Sequence, residues 1–442
     1  MSPPPLLSDP ARAWSPFEPG ASDPWDLPRV AHLHRRAGFA APWTTLERDL
    51  RDGPAASITR LLDGEAQTPD GKPAAAFEAL LDDMGRQLAP AAVLPRLQGI
   101  WLYRMIFTAH PLRERMTLFW HNHFATSNAK VQNPALMQRQ NDLFRTHALG
   151  DFEALVAAVG KDPAMLIWLD STANRKARPN ENYAREVMEL FTLGRGRYSE
   201  QDIQEAARAF TGWFVVRDRF QEIVAQHDDG PKTILGRTGR FDGDDVPPLL
   251  LDQPACAEFL CGKLIRYFIT EVDPVTPELI APLARRFRES RYNVRSVVET
   301  ILRSQLFHDP ALRRRRVKCP VEHTIGTIRA LEVFRPTVQA DTLAEACGRM
   351  GQNLYAPPSV AGWEWGAAWA NSTTMLARTN FVLSLLADKE RASVPALKQG
   401  AKFLVDLLVQ DGFDPRVRQR IEQASAKEMP ALVLTSPEYQ LA

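Results

Sequence analysis

The sequence predicts a mainly α protein, one large multi-helix domain with a small β-hairpin insertion near residues 213–236. Three observations lead there. Apolar residues recur at helical spacing from about 42 to 210 and again from 245 to 424, and the period changes to two between Gly212 and Gly243. No repeat of fixed length runs through the chain, which argues against a solenoid.

Taken in order, residues 1–28 hold eight prolines and little periodicity, an arm either wrapped on the body or disordered, and the domain proper occupies 29–442. Regular structure begins between Val30 and Phe39. Helices are expected at 42–51, 53–63, 74–86, 91–110, 112–124, 134–148, 151–159, 163–169, 180–193 and 199–210. Ser199 and Asp202 form a weak capping box, and Gly194 follows the last periodic residue of its helix. The β-type runs are 213–216, 220–224 and 233–235, with a strong turn signal at Asp228-Asp229-Gly230 between the last two. Helices then resume at 245–251, 254–269, 276–289, 293–304, 320–333, 340–350, 372–387, 395–410 and 414–424.

Composition narrows the function classes. A chain of 442 residues, 45% hydrophobic and 24% charged, is an ordinary folded protein with length for about three domains. Lys plus Arg (54) nearly balance Asp plus Glu (53), so no field steers polyanions and nucleic-acid binding is disfavoured. No stretch approaches the roughly 18 apolar residues of a transmembrane helix. No basic leader precedes an apolar run, so no signal peptide is read and the cytoplasm is the expected location. Cys256, Cys261, Cys319 and Cys347 are too scattered for a disulfide framework.

Four polar or aromatic stretches carry more chemistry than folding requires. On a helix over 112–124, His123 aligns with Leu112, Met116 and Phe119 on the buried face, while His121 points almost the opposite way. Only an extended 120–124 segment would place both on one metal; otherwise one is a core histidine and the other a surface one. After Pro179, Glu181, Asn182, Arg185, Glu186 and Glu189 share an arc of roughly 140° opposite Tyr183, Val187, Leu190 and Phe191. Such an arc is either a solvated face of i,i+4 pairs or the wall of a polar cavity. Asp170 and Asn174 could add oxygen ligands, without EF-hand spacing.

In the third stretch a hairpin turn needs only Asp229-Gly230, leaving His227, Asp228 and Lys232 as a ligand with an orienting partner or as ordinary turn residues. In the fourth, Trp363, Trp365 and Trp369 lid the core or line a pocket, ahead of a helix carrying Arg378. The basic run from Arg313 to Lys318 is read as solvated, closing a helix. No Walker loop, dinucleotide fingerprint, nucleophile elbow or HExxH motif occurs.

Read together, the runs at 32–39, 119–124, 178–186, 209–213, 227–230 and 361–363 occur in an order that resembles the bacterial domain of unknown function (DUF) 1800 family, from about residue 30 to the C-terminus. The chain departs from it at Ala40, where the family usually has glycine, and at His34, where leucine is usual. The resemblance implies a mainly helical single unit and names no reaction. It also implies that relatives often carry export signals and are commonly encoded beside a family resembling sulfatases and alkaline phosphatases. Export as the passenger of such a partner is therefore the alternative location.

Two functional expectations follow. The first is a metal-dependent enzyme, hydrolytic by preference, with a divalent ion on His121, His123, Glu189 and His227 and with Glu181, Arg185, Glu186 and Asp228 in catalysis. Asn182, Lys232, Trp363 and Arg378 would bind substrate, and iron or copper redox chemistry would use the same ligand types. The second is a non-enzymatic binding or maturation partner of a phosphatase- or sulfatase-like protein, contacting it through the tryptophan loop and the Arg313 run, its polar stretches a buried structural network. Convergence on a solvent-connected cavity would favour the enzyme; dispersed, fully paired side chains would favour the partner.

Overall fold

Many helices begin where a short polar side chain can satisfy the first unpaired N–H groups. Asp26, Asn133, Asp151, Asp162 and Ser199 each accept a backbone N–H at the start of Leu27–Ala37, Pro134–Thr146, Phe152–Gly160, Pro163–Trp168 and Glu200–Ala209. In this computed structural model, which describes residues 4–88 and 93–442, the chain is mainly helical with two small two-stranded antiparallel sheets. Residues 1–3 of the expected arm and the first two of the helix expected at 91–110 lie outside the described residues.

Some boundaries differ from expectation, each for a local reason. The helices expected at 42–51 and 53–63 run on as one bent element, Trp43–Asp63, because Gly53 (φ 83°) absorbs the bend ahead of Pro54. The helix expected at 395–410 is cut into Pro395–Lys398 and Ala401–Leu408 by Gly400 at φ 91°. The expected 180–193 helix is Asn182–Glu186 followed by a π-turn, Val187–Thr192, in which the Thr192 hydroxyl donates to the Val187 carbonyl at 2.6 Å.

The insertion holds two hairpins. Trp213–Val216 pairs with Arg219–Glu222 in the register Trp213 to Glu222, and Lys232–Ile234 pairs with Arg237–Gly239. Both turns have two residues in the left-handed region, Arg217-Asp218 (φ 50° and 59°) and Leu235-Gly236 (φ 50° and 78°), the geometry that matches strand twist. The turn expected at Asp229-Gly230 is instead the link between the hairpins.

Packing explains the central helix. Two apolar clusters divide the core, one around Phe152–Gly160, Pro254–Phe268 and Val294–Arg303, the other around Leu94–Phe107, Pro320–Ala330 and Ala340–Arg349. Pro111–His123 lies between them, giving Leu112, Met116, Phe119 and Trp120 to the first and Leu118 to the second. A helix covered on both sides is buried all round, so its periodicity marks no exposed face. The segment before residue 28 packs on the first cluster: Trp14 donates its indole N–H to Leu279 at 2.8 Å and the Phe17 amide donates to Arg303 at 2.8 Å. Among the described residues no helix is long and apolar enough to cross a membrane.

Candidate functional site

The Pro111–His123 helix continues through both histidines, so the extended geometry that a shared metal requires does not form. His121, expected on the surface as the alternative, is buried against the second cluster. Its Nε2 accepts the Tyr355 amide at 2.9 Å, its ring lies 5.3 Å from Trp101 and 5.4 Å from Trp363, and burial lowers its pKa to about 3. His123 faces the first cluster. A carbonyl can only accept, so Nε2 donates to Phe191 at 3.0 Å and Nδ1 accepts from Lys263 at 2.9 Å. Burial, with the Lys263 charge, keeps that ring neutral.

The carboxylate arc turns outward. Arg185 bridges Glu181 (3.0 Å) and Glu200 (2.7 Å), while Arg195 and Tyr198 each donate to Glu189 at 2.7 Å. Only Glu186 lacks such a pair; burial and the charge of Glu189 raise its carboxyl pKa. Exposed Asn182 donates its amide N–H to Asn180 and its side chain to Asp170, and Asn174 is tied to Asn180 and Ala207. The face is a solvated set of ion pairs. It does not line a polar cavity with the histidines.

The third stretch ties the insertion to the helix before it. Arg208 holds both oxygens of Asp228 (2.8 and 3.2 Å), and that hydrogen bonding lowers the Asp228 pKa to about 2. His227 Nδ1 donates to the Thr211 carbonyl at 2.9 Å, and buried Lys232 donates to the Asp228 and Gly230 carbonyls. Arg378, read as a substrate group, is buried and donates to the Lys318 carbonyl at 2.6 Å and to Gln440 at 3.2 Å. The expected ligands His121, His123, Glu189 and His227 therefore sit in four separate settings. Among the described residues, no three His, Cys, Asp or Glu side chains are grouped to hold a metal ion.

The motifs do converge beneath the tryptophan loop. Asn122 accepts the Trp363 amide at 2.7 Å and His121 accepts that of Tyr355, so consecutive residues latch both ends of the loop's core-facing stretch. Under it lies a cavity of about 30 Å³, room for a water or two, lined by Asn122, Tyr267, Glu271, Arg316, Cys319 and Trp363. One oxygen of Glu271 is 3.7 Å from Arg316; the other, Oε2, is buried with no hydrogen-bond partner, and burial raises the carboxyl pKa.

Behind the cavity lies a bed of buried charge absent from the sequence reading. Glu322 pairs with Arg115 and Arg316, and Arg36 donates to the Ile269 carbonyl at 2.8 Å. The run from Arg313 to Lys318 is thus not solvated. Arg316 and Lys318 are buried, and Arg313 and Arg314 are half-buried against Asp411. Arg313, Arg314 and Arg315 find carboxylates far away in sequence, Asp411 and Asp273, a pairing that local spacing does not encode, while Arg316 pairs with Glu322 at the start of the following helix. The adjacent Arg35 and Arg36, in a helix that also carries Arg29, His32 and His34 among Val30, Ala31, Leu33 and Ala37, were the available signal.

No curated protein and no solved structure matches the chain. A family profile described as protein of unknown function (DUF1800) matches residues 32–441, a span that includes the latch, the cavity and the buried charge. The chain belongs to the DUF1800 family.

Proposed function

We propose that this DUF1800 protein is a binding or maturation partner of another protein and engages it through the outer face of the tryptophan loop. One observation carries the reading: Asn122 and His121 spend their acceptors on holding that loop in place. The other polar side chains singled out, Glu186 apart, are likewise engaged in internal bonds or surface ion pairs. The fixed loop presents partly exposed Trp365 with exposed Ala361 and Ala367. Beside it is Val272, 65% exposed and next in sequence to Glu271, whose side chain lines the same cavity as Trp363 and Trp365. Apolar surface held rigid in this way binds without paying to order itself.

The partner chemistry implied by the family resemblance is a phosphatase- or sulfatase-like protein encoded nearby. Co-expression and size-exclusion chromatography test the reading. A co-eluting complex, lost in Trp365→Ser while the melting temperature is unchanged, supports it. Separate elution at micromolar concentration defeats it. Metal analysis of the untagged protein addresses the enzyme reading: stoichiometric metal that disappears in His121→Ala would replace the partner role with a metal site.

A further inference from the structure

The bed of buried charge does not balance. Arg35, Arg36, Arg115, Arg316, Lys318 and Arg378 are all buried, and among the described residues the carboxylates paired with this group are those of Glu271 and Glu322. Glu322 is already shared by Arg115 and Arg316, and Glu271 lies beside Arg316. Arg35, Lys318 and Arg378 are left without an ion pair among the described residues; Arg378 bonds only the Lys318 carbonyl and the Gln440 amide oxygen. A buried charge with no counter-charge is among the costliest groups a core can hold.

Two of the three face one cavity of about 20 Å³, with room for a single water-sized guest. Distant segments meet there: Arg35 from Leu27–Ala37, Lys318 and Glu322 around the start of Pro320–Ala330, Leu407 from Ala401–Leu408 and Tyr439 near the C-terminus. Lys318 Nζ stands 3.5 Å from the centre of the Tyr439 ring, itself a wall of the cavity. Arg35 Nη1 donates to Gln410 Oε1 at 2.5 Å, while its Nε and Nη2 are buried with no hydrogen-bond partner. The acceptors in the wall are taken. Glu322 receives Arg115, Arg316 and the Cys319 amide, and the Tyr439 hydroxyl is bonded to Thr327 at 2.8 Å.

The cavity therefore offers unsatisfied donors and positive charge, and its guest must be a small acceptor with negative charge. Arg35 keeps its charge at neutral pH, because burial with the charges of Arg314 and Arg313 lowers its pKa only to about 9. Burial, Arg35, Arg378 and Arg314 pull the Lys318 pKa down further, against Glu322; an anion alongside acts in the opposite direction and restores its proton.

We propose that this cavity binds one chloride ion, held between Lys318 and the unpartnered nitrogens of Arg35. Size selects a halide, since one water-sized position admits a monatomic ion, whereas sulfate, phosphate and carboxylates bring several heavy atoms. A carboxylate on Ala442, which also lines the cavity, would reduce the surplus of positive charge without cancelling it. Water could take the donors, but it brings no charge. The ion would join the Leu27–Ala37 helix to the segment entering Pro320–Ala330, and it does not rest on the partner reading of the tryptophan loop.

The test uses the full chain, melted in sodium chloride and in sodium gluconate at equal ionic strength, together with crystals of it soaked in sodium bromide. A melting temperature that rises above the gluconate baseline along a saturating curve, and an anomalous bromide peak within hydrogen-bond reach of Lys318 Nζ and Arg35, support the proposal. Lys318→Met keeps the apolar stem and removes the charge; its apparent chloride affinity is expected to fall at least about tenfold. Equal melting in the two salts, a chloride increment undiminished in Lys318→Met, or bromide peaks at surface sites only overturns it. If Lys318→Met does not fold, the native melting curves and the bromide map decide.

Discussion

Asn122 Oδ1 accepts the amide of Trp363 at 2.7 Å, and Gly362 between the loop and the helix has φ 82°, with no space for a Cβ because Asn122 occupies it. One side chain therefore sets both the bond and the glycine. Asn122→Ala is expected to cost about 1–2 kcal/mol, the penalty of an unpaired amide, and to speed hydrogen exchange at Trp363. Asn122→Asp keeps the acceptor and restores most of the protection. Denaturant unfolding and amide exchange measure both.

Ala40 lies in the left-handed region at φ 59° and donates its amide to the His34 carbonyl at 3.1 Å. A Cβ in this region costs roughly 1–2 kcal/mol, partly offset by the flexibility of an unfolded glycine. Ala40→Gly is therefore expected to stabilise by about 0.5–1 kcal/mol, seen as a higher melting temperature.

Much of the fold was legible because helix caps and apolar spacing are local. Ser199 with Asp202 was read as a capping box and forms one, and the β insertion falls where the period changed. The candidate site was less legible. His121 was placed on a surface because angular spacing assumes one buried face, whereas its helix is enclosed by two clusters. The ion pairs of Glu322 join it to Arg115 on another helix and to Arg316 in the loop just before its own, and the order of side chains does not announce the first. Trp363 and Asn122 were each visible as motif residues; their bond, 241 positions apart, was not.

Lys263 donates to His123 and lies 5.1 Å from the Phe259 ring centroid, and burial lowers its pKa from 10.5 to about 7. Between those values the unfolded chain binds a proton that the folded chain has released, so this group makes stability rise with pH from about 7 towards 10.5. Lys263→Met removes that rise. Unfolding free energies measured across this range should show a steeper upward slope in the native protein than in the variant.

Glu322 carries the opposite dependence. Burial would raise its carboxyl pKa, but Arg115 and Arg316 hold it well below the ordinary 4.5, so its contribution is present above 4.5 and is lost as pH falls through the folded value. Removing the charge leaves two buried guanidiniums without their carboxylate; Arg115 keeps only the Tyr267 and Phe39 rings at 4.7 and 5.3 Å. Glu322→Gln is expected to cost about 3–5 kcal/mol at neutral pH, because a broken buried pair exposes the full desolvation cost of the remaining partner. Below pH 4.5 the unfolded chain takes up a proton at Glu322 that the folded chain still refuses, so the native protein's advantage shrinks. The two unfolding curves should therefore converge as pH falls from 7 to 3, and a constant gap across that range would mean that Glu322 acts through packing and not through its charge.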